Sequence, residues 1–153
     1  MITGLIDWLS ASGISAWAGG GGVYPTANVL HLLGLVLLLG SIGIVDLRIM
    51  GAFRALPADA LSRALTPLGV VGLVILVLSG ATLFAADAAS VAASMVFRWK
   101  LVTIVLALAN AAAFRWWLRP GSAPIGLRRQ MAAAVSLFAW LATATLGRMI
   151  AYS

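Results

Sequence analysis

The chain has 153 residues, 63% of them hydrophobic and 9% charged. A soluble domain carries about 45–50% apolar and about 25% charged residues, so a water-soluble globule of this length has nowhere to hide the apolar surface, and disordered, acidic and coiled-coil classes fall with it. The net charge of +6 does not point to nucleic acid, because the basic residues flank apolar runs where lipid headgroups account for them. What remains is an all-α, polytopic membrane protein.

Ile2, Leu5, Ile6, Leu9 and Trp17, with Asp7, Ser10 and Ser12 between them, have the spacing of an amphipathic helix lying at the membrane interface. No Lys or Arg precedes it and its apolar run is broken, which argues against a signal peptide. The run Gly19 to Gly22 reads as a flexible joint, so residues 1–22 form an interfacial helix with a glycine linker. Residues 23–153 then form the transmembrane domain, opening at Tyr24-Pro25-Thr26, where Pro25 suits a first helical turn.

Four apolar stretches predict spans at about 27–48, 66–87, 97–118 and 130–151, each near the roughly 20 residues that a hydrocarbon core requires. Leu56 to Leu65 predicts a short cytoplasmic helix, with Thr66-Pro67 restarting the chain as N-cap and first residue of the second span. In the third span Lys100 and Arg115 stand at the margins, and Phe97, Trp99, Trp116 and Trp117 suit interface belts. Short connections imply an antiparallel, up-down-up-down four-helix bundle.

Charge sets the orientation. Arg48, Arg54 and Arg63 follow the first span, and Arg115, Arg119, Arg128 and Arg129 follow the third. The segment before the first span has no Lys or Arg, and the tail has Arg148 alone. The positive-inside rule puts both Arg-rich loops in the cytoplasm and both termini outside, in the periplasm for a bacterial inner membrane.

Cysteine and glutamate are absent, the acids are Asp7, Asp46, Asp59 and Asp87, and the one histidine is His31. Disulfides, thiolate metal sites and thiol catalysis are therefore excluded. No carboxylate pair, Ser-His-Asp set, HxxxH motif or phosphate-binding glycine loop is present, so the reading leans away from an enzyme.

His31 lies about one turn inside the outer end of the first span, on a face shared with Gly34, Leu38, Ser41 and Val45. Two readings of it stay open. One is a hydrogen bond to a neighbouring helix or to interfacial water. The other is an axial ligand to the iron of haem b, because imidazole in a four-helix bundle is a recurrent haem site. Met149, or Met95, would then supply the second ligand, or two protomers would share a haem through two copies of His31. Arg98, Lys100 and Arg148 are expected at the same outer level, where they suit two propionates, a lipid phosphate or another anion, or else snorkel separately into the headgroups.

Lys100, Thr103, Ala107, Asn110 and Phe114 make one stripe on the third span, and Ser136, Trp140, Thr143 and Gly147 make another on the fourth. Both should turn into the bundle and hydrogen-bond between helices. Gly69, Gly72, Ser79 and Gly80 read as close-packing positions on the second. Asp46, about 22 Å from His31 along the helix, is expected to pair with Arg48, Arg54 or Arg115, with a conformational or proton-relay role as the alternative.

Several segments carry a resemblance: Tyr24-Pro25 with His31-Leu32-Leu33-Gly34, Asp46-Leu47-Arg48-Ile49-Met50-Gly51, Phe97-Arg98-Trp99-Lys100 with Asn110, Ser136 to Trp140, and the ending Gly147-Arg148-Met149-Ile150-Ala151-Tyr152. On these the chain resembles a family of small, uncharacterised four-span bacterial inner-membrane proteins. It is more remotely similar to the CopD and cytochrome b four-helix membrane group. The resemblance implies the fold and the inner-membrane location.

Two functional classes follow. One is a haem-b-binding protein of membrane redox chemistry and electron transport. The other is a non-catalytic accessory or scaffold subunit, or a small oligomeric transporter without haem. Lateral association into a homodimer or a membrane complex suits the small-residue faces. A periplasmic reporter fused after Ser153 is expected to be active, and activity of a cytoplasmic reporter there instead would overturn the orientation.

Overall fold

The computed structural model describes residues 2–117 and 126–152. Arg119, the end of the third predicted span at 118 and the fusion point Ser153 lie outside the described residues, as does the side chain of Trp117. The described chain is helical throughout: α1 (Ile2–Ala11), α2 (Ile14–Gly19), α3 (Val23–Met50), α4 (Ala58–Ala86), α5 (Ala88–Ala93), α6 (Met95–Trp117) and α7 (Leu127–Met149), closed by a 3-10 turn at Ile150–Tyr152. The helices α3, α4, α6 and α7 are long and apolar enough to cross a membrane, and each contains most of one predicted span.

The helix ends follow local chemistry. Gly51, with φ 111°, ends α3, where its N–H bonds the Arg48 carbonyl and the next N–H, of Ala52, reaches back to Leu47. This left-handed closure favours glycine because a side chain would clash there. Gly13, with φ 76°, breaks the N-terminal segment in the same way, so α1 and α2 stand where the spacing predicts one helix. Leu9 and Ala18 of these helices pack with Ala85 and Ala88 in a small core at the far end of α4.

The restart predicted at Pro67 does not occur. Helix α4 runs unbroken from Ala58, with Pro67 inside it. Proline removes the N–H that would bond the Arg63 carbonyl, but both residues are exposed on this turn, so that carbonyl is free to be solvated. Inside the same turn the Ser62 and Thr66 hydroxyls meet at 3.3 Å.

Helix α3 is central. It packs on α4 along one side and on α7 along another, while α6 packs on α7. The seam with α4 pairs His31 with Ser79, Gly34 with Gly72, and Ser41 and Ile42 with Gly69. The seam with α7 pairs Gly43 with Leu137 and Asp46 with Ser136. Between α6 and α7, Lys100 meets Gly147 and Thr103 meets Thr143. Along each seam the numbering falls on one helix as it rises on the other.

Glycine makes the α3–α4 seam possible. A Cβ on Gly72 would stand 2.7 Å from the Gly34 carbonyl oxygen and 2.7 Å from the Leu38 nitrogen. The two backbones therefore touch, which is how helices gain van der Waals contact in lipid without a hydrophobic drive between them.

Gly72→Ala is expected to destabilise the protein by about 1–3 kcal/mol through overpacking. Gly40→Ala, where a Cβ would meet nothing within 4 Å, should be neutral or stabilising. Thermal unfolding in mild detergent, followed by helical circular dichroism, checks the contrast.

Candidate functional site

His31 and Asp46 on α3 and Lys100 on α6 are ionisable side chains set in from the ends of spanning helices and at least half-buried. Such groups are costly in lipid and mark functional candidates. They form two levels.

At one level, in the N-terminal half of α3, His31 is half-buried, and its Nδ1 lies 2.9 Å from the Ser79 Oγ. Ser79 is buried and donates its hydroxyl hydrogen to the Ile75 carbonyl at 2.6 Å. A hydroxyl has one hydrogen to give, so towards His31 the Ser79 oxygen accepts. Nδ1 is therefore the protonated nitrogen, and Nε2 keeps its lone pair when the ring is neutral. Gly80 leaves room for the ring, because a Cβ there would stand 3.3 Å from His31 Cε1.

Lys100 reaches the same level from α6. It is half-buried, and its Nζ lies 3.1 Å from where a Cβ on Gly147 would stand. Glycine on α7 thus opens the space that the ammonium group occupies. Lys100 is also within electrostatic reach of His31, so the two groups repel when both are protonated. No carboxylate among the described residues pairs with Lys100: Asp87 is exposed beyond the end of α4, and Asp46 lies at the other end of α3.

The remaining residues expected at this level stay on the rim. Arg148 is exposed, donates to the Tyr152 hydroxyl at 2.9 Å and lies 5.2 Å from the centre of that ring. Arg98 and Met149 are exposed, as is Met95. His31 and Lys100 are thus within electrostatic reach of one another, while Arg98, Arg148 and Met149 are exposed.

A cleft of about 460 Å³ opens beside this level between α2, α3 and α4. Trp17, Val23, Leu30 and Leu78 make it apolar, and Thr26 and Ser79 add hydroxyls. Neither His31 nor Lys100 lines it, but Ser79 belongs to both the cleft and the His31 contact.

Met149 and Met95, the methionine candidates for a second haem ligand, are exposed, and His31 does not line the cleft. Among the described residues no three His, Cys, Asp or Glu side chains gather as a metal site.

The other level, near the C-terminal end of α3, corrects an expectation. Asp46 does not bond Arg48, Arg54 or Arg115. It is 7% exposed, its carboxyl is hydrogen-bonded by Ser136 of α7, and its Oδ2 is buried with no partner. Arg48 instead donates to the carbonyls of Leu56 at 2.6 Å and Arg54 at 3.4 Å, and Arg54 donates to Gly51 at 3.1 Å. Arg115 is exposed. The geometry explains this, since residues two apart on a helix point about 200° apart and cannot share a face.

The two polar stripes do meet across α6 and α7. The Thr103 and Thr143 hydroxyls lie 2.9 Å apart, and the Asn110 amide donates to the Ala132 carbonyl at 3.0 Å. Sequence reasoning placed an arginine pair ahead of any other role for Asp46. The signal against that pair was an acid inside an apolar run whose basic neighbours are at the wrong helical phase.

No family model matches the chain, and neither does any curated protein or solved structure.

Ser79→Ala is expected to free His31 to take either tautomer. In 15N magnetic resonance of labelled protein, the wild type should show an Nδ1-protonated imidazole and the variant a mixture. An Nε2-protonated ring in the wild type would overturn the assignment.

Proposed function

We propose that this chain is a non-catalytic, multi-pass inner-membrane protein that holds a lipid phosphate at the outer end of its bundle. In this reading the four spans pack antiparallel, α1 and α2 lie along the outer interface as an amphipathic pair, and both termini are periplasmic. The observation that carries the proposal is the ammonium group of Lys100, half-buried against Gly147 beside His31, with no carboxylate among the described residues to neutralise it. A buried cation requires a counter-charge, and a phosphate at headgroup depth supplies one by charge-assisted hydrogen bonds. The neighbouring cleft is apolar enough for an acyl chain, and Ser79 links it to His31.

Lateral assembly belongs to the same reading. Helix α6 is the least covered of the four, with 6% of its most apolar stretch buried against 28%, 22% and 22% in the others. A second copy or a membrane partner seated there would cover it.

Native mass spectrometry of protein purified in mild detergent tests the proposal. The wild type should retain an anionic phospholipid. Lys100→Gln should lose roughly ten- to a hundredfold in lipid affinity, the worth of one hydrogen bond to a charged group. Arg98→Gln, on the exposed rim, should retain lipid as the wild type does. Equal retention in Lys100→Gln and wild type would overturn the reading.

A further inference from the structure

Asp46 is the most deeply placed ionisable group among the described residues, and the outer site makes no use of it. Ser136 of α7 hydrogen-bonds its carboxyl, and its chain neighbours Val45 and Ile49 pack in a buried cluster with Ala133 of α7, Leu65 of α4 and Phe114 of α6. The nearby cations are committed or distant. Arg48 and Arg54 bond carbonyls of the following loop, and Arg115 and Arg128 are exposed. Arg129, half-buried on α7, is seven residues and about 10 Å before Ser136.

A carboxyl in such a place is expensive to ionise. An asparagine would satisfy Ser136 equally well, so interhelical adhesion does not require an acid here. Oδ2 is the atom left over: buried, unpartnered, and free to gain or lose a proton without breaking the bond to Ser136.

Further polar groups lie on the same helices. Asn110 of α6 bonds the Ala132 carbonyl of α7 near Ser136, and Thr103 and Thr143 meet across α6 and α7 further along. Between the Asp46–Ser136 contact and the two threonines, Leu38, Ala107 and Trp140 make a buried apolar cluster. Ser136 and Thr143 are seven residues apart on α7, about 10 Å, which is the length of the apolar break.

We propose that Asp46 is a proton-binding site and that the seam between α3, α6 and α7 is a proton route across the membrane, closed at Leu38, Ala107 and Trp140. The exchange is acid–base only. A proton carried by water bonds to Oδ2, leaving neutral water and a neutral carboxylic acid. Release to water on the far side of the apolar cluster returns the carboxylate, and no electrons are transferred. The proposal is independent of lipid binding at Lys100.

Two measurements on the full chain test it. In proteoliposomes carrying a trapped pH dye, under a potassium diffusion potential set by valinomycin, the wild type should acidify the lumen faster than protein-free vesicles. Asp46→Asn, which keeps an acceptor for Ser136, should fall to the protein-free rate, and Leu38→Ala should exceed the wild type. Flux in the wild type no greater than in protein-free vesicles, or unchanged flux in Asp46→Asn, overturns the route. Separately, infrared difference spectra of the wild type against pH should contain a protonated-carboxyl band that Asp46→Asn lacks. An Asp46 that shows no such band at any pH overturns the proton site without reference to how any variant folds.

Discussion

The approach of α3 to α4 at Gly34 and Gly72 is the contact on which the rest of the arrangement depends. Each glycine lies where the other backbone occupies the position of a Cβ. In lipid there is no gain from hiding leucine from water, so close contact of backbones is what holds one span against another. That contact sets the rotation of α3 about its axis. Once the glycine face is turned to α4, His31 falls opposite Ser79 and Gly80. Asp46 lies fifteen residues further on, which is 1500° of helical turn or 60° beyond four full turns, and faces α7 at Ser136.

The polar groups divide by what they reach. Arginines meet carbonyls, tyrosine or the membrane surface: Arg48 and Arg54 close the loop after α3, and Arg148 folds onto Tyr152. Small hydroxyls and one amide bridge helices, as at Thr103 with Thr143 and Asn110 with Ala132. Between these classes stand His31, Lys100 and Asp46, ionisable groups set in from the ends of spanning helices. Each is accommodated by a residue with little or no side chain, Gly80 for His31, Gly147 for Lys100 and Ser136 for Asp46. Space for a charge-bearing group thus recurs on α4 and α7 where larger residues would have sealed the seam.

The two levels differ in chemistry. Lys100 and His31 offer positive charge and an imidazole, a setting for an anion. Asp46 offers one buried, unpartnered oxygen, a setting for a proton. The apolar cluster of Leu38, Ala107 and Trp140 keeps them apart, so one small bundle can carry a binding site and a titrating site that do not share residues.

Composition and hydropathy alone determined the membrane class, the four spans and the inward turn of the stripes on α6 and α7, because each is a local property of consecutive residues and of helical spacing. The glycines of α4 were legible as packing positions for the same reason. The break at Gly13 and the continuity through Pro67 were not, since both depend on whether a local penalty is offset by the surroundings. Only the tertiary structure decided which faces meet: Ser79 is 48 residues from His31, Asp46 turns from the arginines beside it to Ser136 of α7, and Arg148 leaves Lys100 for Tyr152. Helical phase says which residues share a face, but the rotation of each helix against its neighbours is set by where the small residues let backbones touch, and that is a property of pairs of helices.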